Sequence, residues 1–279
     1  MVQENGAAQV PIEDIETIII DNPRVSLTAP LLRAISMAGA TVVICDDKHL
    51  PCGLYLSQYQ HFKSGPVVAL QSEIKAPHAK RIWQSIVVAK IKNQAQLLLN
   101  ICPDSKAGRS LQAYPAKVKS GDTGNVEAIA ARIYWSSIFN RPFQRGDDRN
   151  EMIKALNFGY AIVRSGLARA VIARGLLPLF GIHHRNMLNP FCLVDDLIEP
   201  FRPFVDAEVA EHFDTENDAF DSQCRYRLIE VLHHQVRCND CDMTLASAMT
   251  ECASSFVRSL RSKKAENLVF PVIEPINAG

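Results

Sequence analysis

The chain lacks net charge: 30 basic residues balance 30 acidic ones over 279 positions. No global field draws it to a polyanion, so any nucleic-acid surface must be local. It also lacks an uninterrupted apolar run of about 18 residues. Arg164, Arg169 and Arg174 break its most apolar region, which excludes a membrane-spanning helix there. The opening MVQENGAAQV has neither the basic nor the apolar part of a secretory signal. Internal repeats and low-complexity tracts are missing as well. Cysteine is present, at eight residues, and in a chain without a leader these are expected to stay reduced in the cytoplasm. A CxxC occurs once, at Cys238 and Cys241, with Cys224, His233 and His234 nearby. A structural zinc site and a reduced pair at a hairpin turn are both open, and the missing second CxxC favours the turn.

Hydrophobic residues make up 47% of the chain, enough for a sizeable core. Residues 9 to 21 read as strand. SLTAPLLRAISMAG has helical spacing, with Ser26 or Thr28 as N-cap and Gly39 as its stop. TVVIC, from Thr41 to Cys45, reads as a buried strand. Residues 57 to 78 carry few periodic apolar positions. Beyond them KRIWQSIVVAKIKNQAQLLLNI places Trp83, Val87, Ile91, Ala95 and Leu98 on one stripe. Further helices are expected from Asn125 to Trp135, from Met152 to Gly175, from Cys192 to Glu199, from about Asp206, and from Leu245 to Leu260, with a hairpin near 228 to 243. The fold class is therefore α+β. Residues 1–75 form a small β-rich domain, and residues 76–279 form a larger, mostly α-helical one.

The densest chemistry lies in GIHHRNMLNPFCLVDDLIEPFRP, residues 181 to 203. On a strand or turn the rings of His183 and His184 point in different directions, so one ligand is expected from the pair. In LVDDLIE, Asp196 and Glu199 are i,i+3 neighbours, and Asp195 lies one turn from Glu199. Two readings fit: a divalent-metal site completed by Glu127 upstream, or a solvated acidic face partly balanced by Arg202. Clustered carboxylates repel, so removing one is expected to relieve strain. Charge is uneven: residues 141 to 174 carry seven bases and three acids, residues 195 to 221 ten acids and one base. DNA tracking the first of these segments and an ordinary uneven surface both account for that. Lys80, Arg81, Lys90 and Lys92 flank Trp83. Trp83 and Tyr160 read first as core.

These residues carry a resemblance. GIHHRNMLNPFCLVDDLIEPFRP, VSLTAPLLRAISMAGATVVICDDKHLPCG, KRIWQSIVVAKIKNQ, GDTGNVEAIAARIYW and LNFGYAIVRSGLARAVIARGLLPLFG together resemble the CRISPR-associated integrase Cas-one (Cas1), the adaptation endonuclease, in its type II form. The resemblance covers nearly the whole chain. It implies metal ligation by Glu127, His184 and Glu199, with Asp196 matching a further acidic position that orients the site or holds a second ion. It implies Mg²⁺ or Mn²⁺ as cofactor. Expected partners are DNA (a spacer fragment and the CRISPR repeat), a second copy of the chain through the β domain, the small companion Cas-two (Cas2) and other type II CRISPR proteins. Lys90, Lys92, Arg141, Arg145, Arg164 and Arg169 are expected against DNA. Family members usually open with a pair of strands before the segment that starts here at Val2, which leaves two expectations open: a truncated first domain, or a true start upstream. Because a ligand imidazole must be neutral, activity is expected to fall below about pH 6.

Rival readings are a nuclease of branched DNA without integration, a non-catalytic nucleic-acid scaffold, and a helical di-metal carboxylate protein. The last needs two Glu-x-x-His pairs, and the chain has one, Glu230 with His233.

Overall fold

The computed structural model describes residues 2–3, 6–7, 9–57, 64–139, 150–186, 188–213 and 219–276. Strands β1 (Val2–Gln3) and β2 (Gly6–Ala7) form a short antiparallel ribbon. A three-stranded sheet follows, in the order β3 (Thr17–Ile20), β4 (Thr41–Cys45), β5 (Pro51–Tyr55). β3 and β4 run parallel because helix α1 (Ala29–Ala38) crosses between them, and β5 returns antiparallel. Thr28 caps α1 by accepting the Leu31 N–H, and Gly39 ends it at φ 76°, the left-handed conformation glycine adopts without strain. Ile35, Ala40 and Val42 make a small core of their own. The strand expected over residues 9 to 21 is shorter. Ile12–Asp14 is a 3-10 turn, since Pro11 has no N–H for a ladder and Glu13 and Asp14 suit a helical first turn.

The segment read as aperiodic contains helix α2 (Ser64–Ser72). Val67 of α2 belongs to the main core, and Gln71 donates to the Leu177 and Phe180 carbonyls, so α2 packs with the helical body. That body is built on α3 (Ala76–Ile101), which buries Ile82, Trp83, Ile86, Val87 and Ile91. Each such side chain contributes about 1.5–3 kcal/mol by leaving water. α4 (Lys106–Leu111) and α5 (Val126–Trp135) pack on α3. α6 (Glu151–Ala173) is the second central helix. α7 (Cys192–Leu197), α8 (Arg202–His212), α9 (Ser222–Glu230), and α10 (Leu245–Ser262) close around it. The expected acidic helix ends at Leu197, and Glu199–Phe201 is a 3-10 turn. Arg169 ties the sheet to α6 by donating to the Gly39 carbonyl at 3.1 Å and pairing with Glu16 at 3.1 Å. No described helix is long and apolar enough to cross a membrane.

The hairpin is β6 (Gln235–Cys238) with β7 (Cys241–Thr244), and Cys238 pairs with Cys241 in register. Asn239 and Asp240 have φ of 52° and 59°, the two-residue turn that matches strand twist. Cys238 is buried and Cys241 exposed, and among the described residues no third His, Cys, Asp or Glu joins them around one point, where a structural zinc takes four ligands. Cys238→Ser with Cys241→Ser should therefore lower stability by only about 1–2 kcal/mol, from placing a hydroxyl in the core. A zinc-selective chelator, added with Mg²⁺ in excess, should leave the melting temperature of the hairpin-intact parent unchanged. One zinc per chain by atomic absorption, lost in the double variant, would overturn the turn reading.

Candidate metal centre

Glu127 stands in the first turn of α5, and the preceding loop fixes it there. Asp122 is buried and accepts the Val126 N–H at 2.9 Å and the Glu127 N–H at 3.0 Å. It thus satisfies two of the unpaired amides that open a helix. Asp122 escaped the sequence reading. An acid shortly before a helical pattern is the signal that marks it.

Glu199 comes from the turn between α7 and α8 and is 8% exposed. Its Oε1 accepts from Arg202 Nε at 2.9 Å. Its Oε2 lies 2.5 Å from Lys90 Nζ, and the same ammonium lies 2.6 Å from Glu127 Oε1. Two carboxylates from distant parts of the chain therefore face one point, and a cation fills it. Burial alone raises the Glu199 pKa, but the Arg202 and Lys90 charges outweigh burial and bring it to about 2. Burial and pairing speak against a solvated acidic face: Asp196 and Glu199 are 0% and 8% exposed, and the partly exposed Asp195 is held by Arg164.

Asp196 organises the histidine loop. Its Oδ2 accepts the backbone N–H of Ile182 at 2.5 Å and of His183 at 2.9 Å. Its Oδ1 accepts the His184 N–H at 3.1 Å and His184 Nδ1 at 2.6 Å. A carboxylate can only accept, so Nδ1 carries the proton and Nε2 is the ring nitrogen able to bind a metal. Gly181 permits this fold-back, since a Cβ there would meet the His184 carbonyl oxygen at 2.1 Å. The two rings do diverge, at 87° to one another. His183 stacks on Trp83 at 4.2 Å and 4°, while His184 meets the same indole edge-on. Trp83 is core, as read, and it is also the floor of the loop.

His184 and Glu199 line one cleft of about 440 Å³, with Asn157, Tyr160, Arg164, Asp195 and Arg202. The Tyr160 hydroxyl donates to buried Asp206, which also accepts from Tyr134 at 2.7 Å. Of the bases expected against DNA, Lys90 is turned inward to the two glutamates. Arg164 forks onto Asp195 at 2.6 and 2.9 Å, and Arg169 serves the sheet contact. Lys92 is exposed. Arg141 and Arg145 lie outside the described residues, as does the polar loop around them.

Residues 1–225 match the family described as CRISPR associated protein Cas1. The chain belongs to the Cas1 family. It is 38% identical over 279 residues to the CRISPR-associated endonuclease Cas1 of Neisseria meningitidis serogroup C (strain 8013), spanning 99% of this chain and 91% of that one. Its fold resembles a casposase bound to integration product, with TM-score 0.75 and 19% identity over 90% of this chain and 80% of that one. It also resembles a chain of a Cas6-RT-Cas1–Cas2 complex, with TM-score 0.69 and 18% identity over 90% of this chain and 31% of that one.

Among the described residues no three His, Cys, Asp or Glu side chains already surround one point. The donor set nonetheless suits a divalent ion. Two carboxylates converge on a position where the Lys90 ammonium stands in for a cation, and Glu199 shares its cleft with an imidazole held by Nδ1. The hydrogen bond to Asp196 raises the His184 pKa above 6.5, against the opposing pull of burial. The imidazolium is thereby kept to higher pH than in a free ring. For the metal-free fold the sign is that of a raised group: the pair's stabilisation is full below the ordinary imidazole value and fades as pH rises through the folded one. A proton NMR titration should place the His184 ring above 6.5, and Asp196→Asn should lower it. A parental value at or below 6.5 would contradict the assigned role of Asp196.

Proposed function

We propose that the chain is a divalent-metal-dependent DNA integrase and endonuclease of CRISPR adaptation. It inserts short foreign DNA fragments into a CRISPR array when a fragment's 3′ hydroxyl attacks a repeat phosphodiester. The observation that carries this reading is the convergence of Glu127 and Glu199 on one cation position, with His184 on the cleft that Glu199 lines. Membership of the Cas1 family and the likeness to a casposase bound to integration product support it.

Glu127, His184 and Glu199 would hold Mg²⁺ or Mn²⁺. Held there, such an ion would supply Lewis-acid stabilisation of charge on the transferring phosphoryl group and would make the attacking hydroxyl more acidic. The protein's own residues do the placing. Asp196 keeps the imidazole in one tautomer, Arg202 holds one oxygen of Glu199, and Asp122 fixes the helix start that carries Glu127. The partners are a DNA fragment, the CRISPR repeat, Cas2, a second copy of this chain through the sheet domain, and other proteins of a type II system.

A strand-transfer assay with and without divalent metal and Cas2 tests the reading, since a joined strand separates integration from plain cutting. Glu127→Ala, His184→Ala and Glu199→Ala should each reduce transfer on the order of a hundredfold or more. DNA affinity should stay largely in place, because it rests on many weak phosphate contacts. Parental transfer in all three variants would mean the site is not the metal site. The expectation that losing a carboxylate relieves strain does not survive the structure. Glu199→Ala takes the carboxylate from Arg202 and leaves Lys90 with Glu127 alone, and should destabilise the metal-free protein by about 3–5 kcal/mol. Thermal denaturation measures it.

A further inference from the structure

Lys90 sits where the proposed metal belongs. Its Nζ is 2.6 Å from Glu127 Oε1 and 2.5 Å from Glu199 Oε2, and its side chain is only 11% exposed. A divalent ion taking those same two oxygens would need the place that the ammonium fills. Two positive charges that close repel strongly, all the more in a buried setting where the effective dielectric is low. Ion and ammonium therefore exclude each other. At Glu199 the exclusion concerns Oε2 alone, because Arg202 holds Oε1 and need not move. Lysine suits such a place better than arginine. Its charge is compact and sits on a flexible four-carbon stem, so the head can withdraw while α3 stays fixed.

We propose that Lys90 is a resident counter-cation of the metal site: its ammonium keeps Glu127 and Glu199 together when no metal is bound, and it must withdraw for a divalent ion to enter. Lys90 thereby presets the two carboxylates and weakens metal binding by competing for them. This rests on the metal-site reading above.

The test is isothermal titration with Mn²⁺ alone, on the full chain without DNA, comparing the parent with Lys90→Met. The variant keeps the length of the stem and removes the charge. With no ammonium to expel, it should bind Mn²⁺ on the order of tenfold more tightly or better. A variant that is folded by circular dichroism and binds no more tightly than the parent overturns the proposal. Absence of Mn²⁺ binding to either protein overturns the metal-site reading itself, and the two failures are thus distinct. A second measurement needs no variant. Amine acetylation of the parent, read residue by residue by mass spectrometry, should rise several-fold at Lys90 when Mn²⁺ is added. Exposed Lys263 serves as the unchanged control. Lys90 labelling that ignores Mn²⁺ overturns the proposal even if Lys90→Met fails to fold.

Discussion

Four donors converge on one fully buried carboxylate, that of Asp196, and the geometry of the site depends on them. An ionised carboxylate taken out of water is costly unless its oxygens are matched by hydrogen bonds. Here three successive backbone amides and one imidazole supply the match. The loop must therefore double back over the acidic helix, which requires Gly181 at the point of closest approach. Once it has done so, His183 lies flat on Trp83, and His184 is left with one tautomer and one available ring nitrogen. Asp196 has spent its accepting capacity on this task, which makes it a positioning residue and leaves little with which to hold a second ion.

The charges around the cleft form pairs, and they do not form fields. Asp195 is held by Arg164 and Asn189, Glu199 by Lys90 and Arg202, and Asp206 by two phenols. Asp195, Glu199 and Asp206 therefore contribute much less bare negative charge at the site than the composition of the stretch suggests. The same pairing explains why the bases expected on a DNA track are divided in purpose. Arg164 and Arg169 each hold a partner within the fold, and their neighbouring acids were invisible as partners because they come from residues 31 and 153 positions away.

Much of the fold was legible in the sequence where local physics decides it. Thr28 and Gly39 bracket α1 because a hydroxyl satisfies a first-turn amide and glycine tolerates a left-handed stop. The stripe from Trp83 to Leu98 does face the core. Asn239 and Asp240 do make the tight turn that two cysteines flank. Legibility failed where local signals were weak. α2 has almost no apolar periodicity and is helical because Val67 and Gln71 dock on the main body. α4 and α9 are short and mostly polar, and tertiary contacts define them. The strand over residues 9 to 21 was overextended because its isoleucines outweighed the proline that breaks it.

By itself the sequence determined the ingredients: an α+β chain, a cluster of carboxylates, a paired histidine, and motifs dense enough to resemble one family. Those are properties of residue type and near-neighbour spacing, which side-chain chemistry and backbone geometry settle within a few turns. Only the tertiary structure decided how they meet. Glu127 and Glu199 are 72 positions apart, and nothing local aims them at one point. The choice of Asp196 as anchor, and not Asp195, turns on which carboxylate is buried under the histidine loop. Lys90 reads as a base for DNA, yet it sits between the buried Glu199 and the partly buried Glu127 because α3, α5 and the turn at Glu199 pack together. Burial sets the cost of an unpaired charge, and burial is a property of the assembled fold.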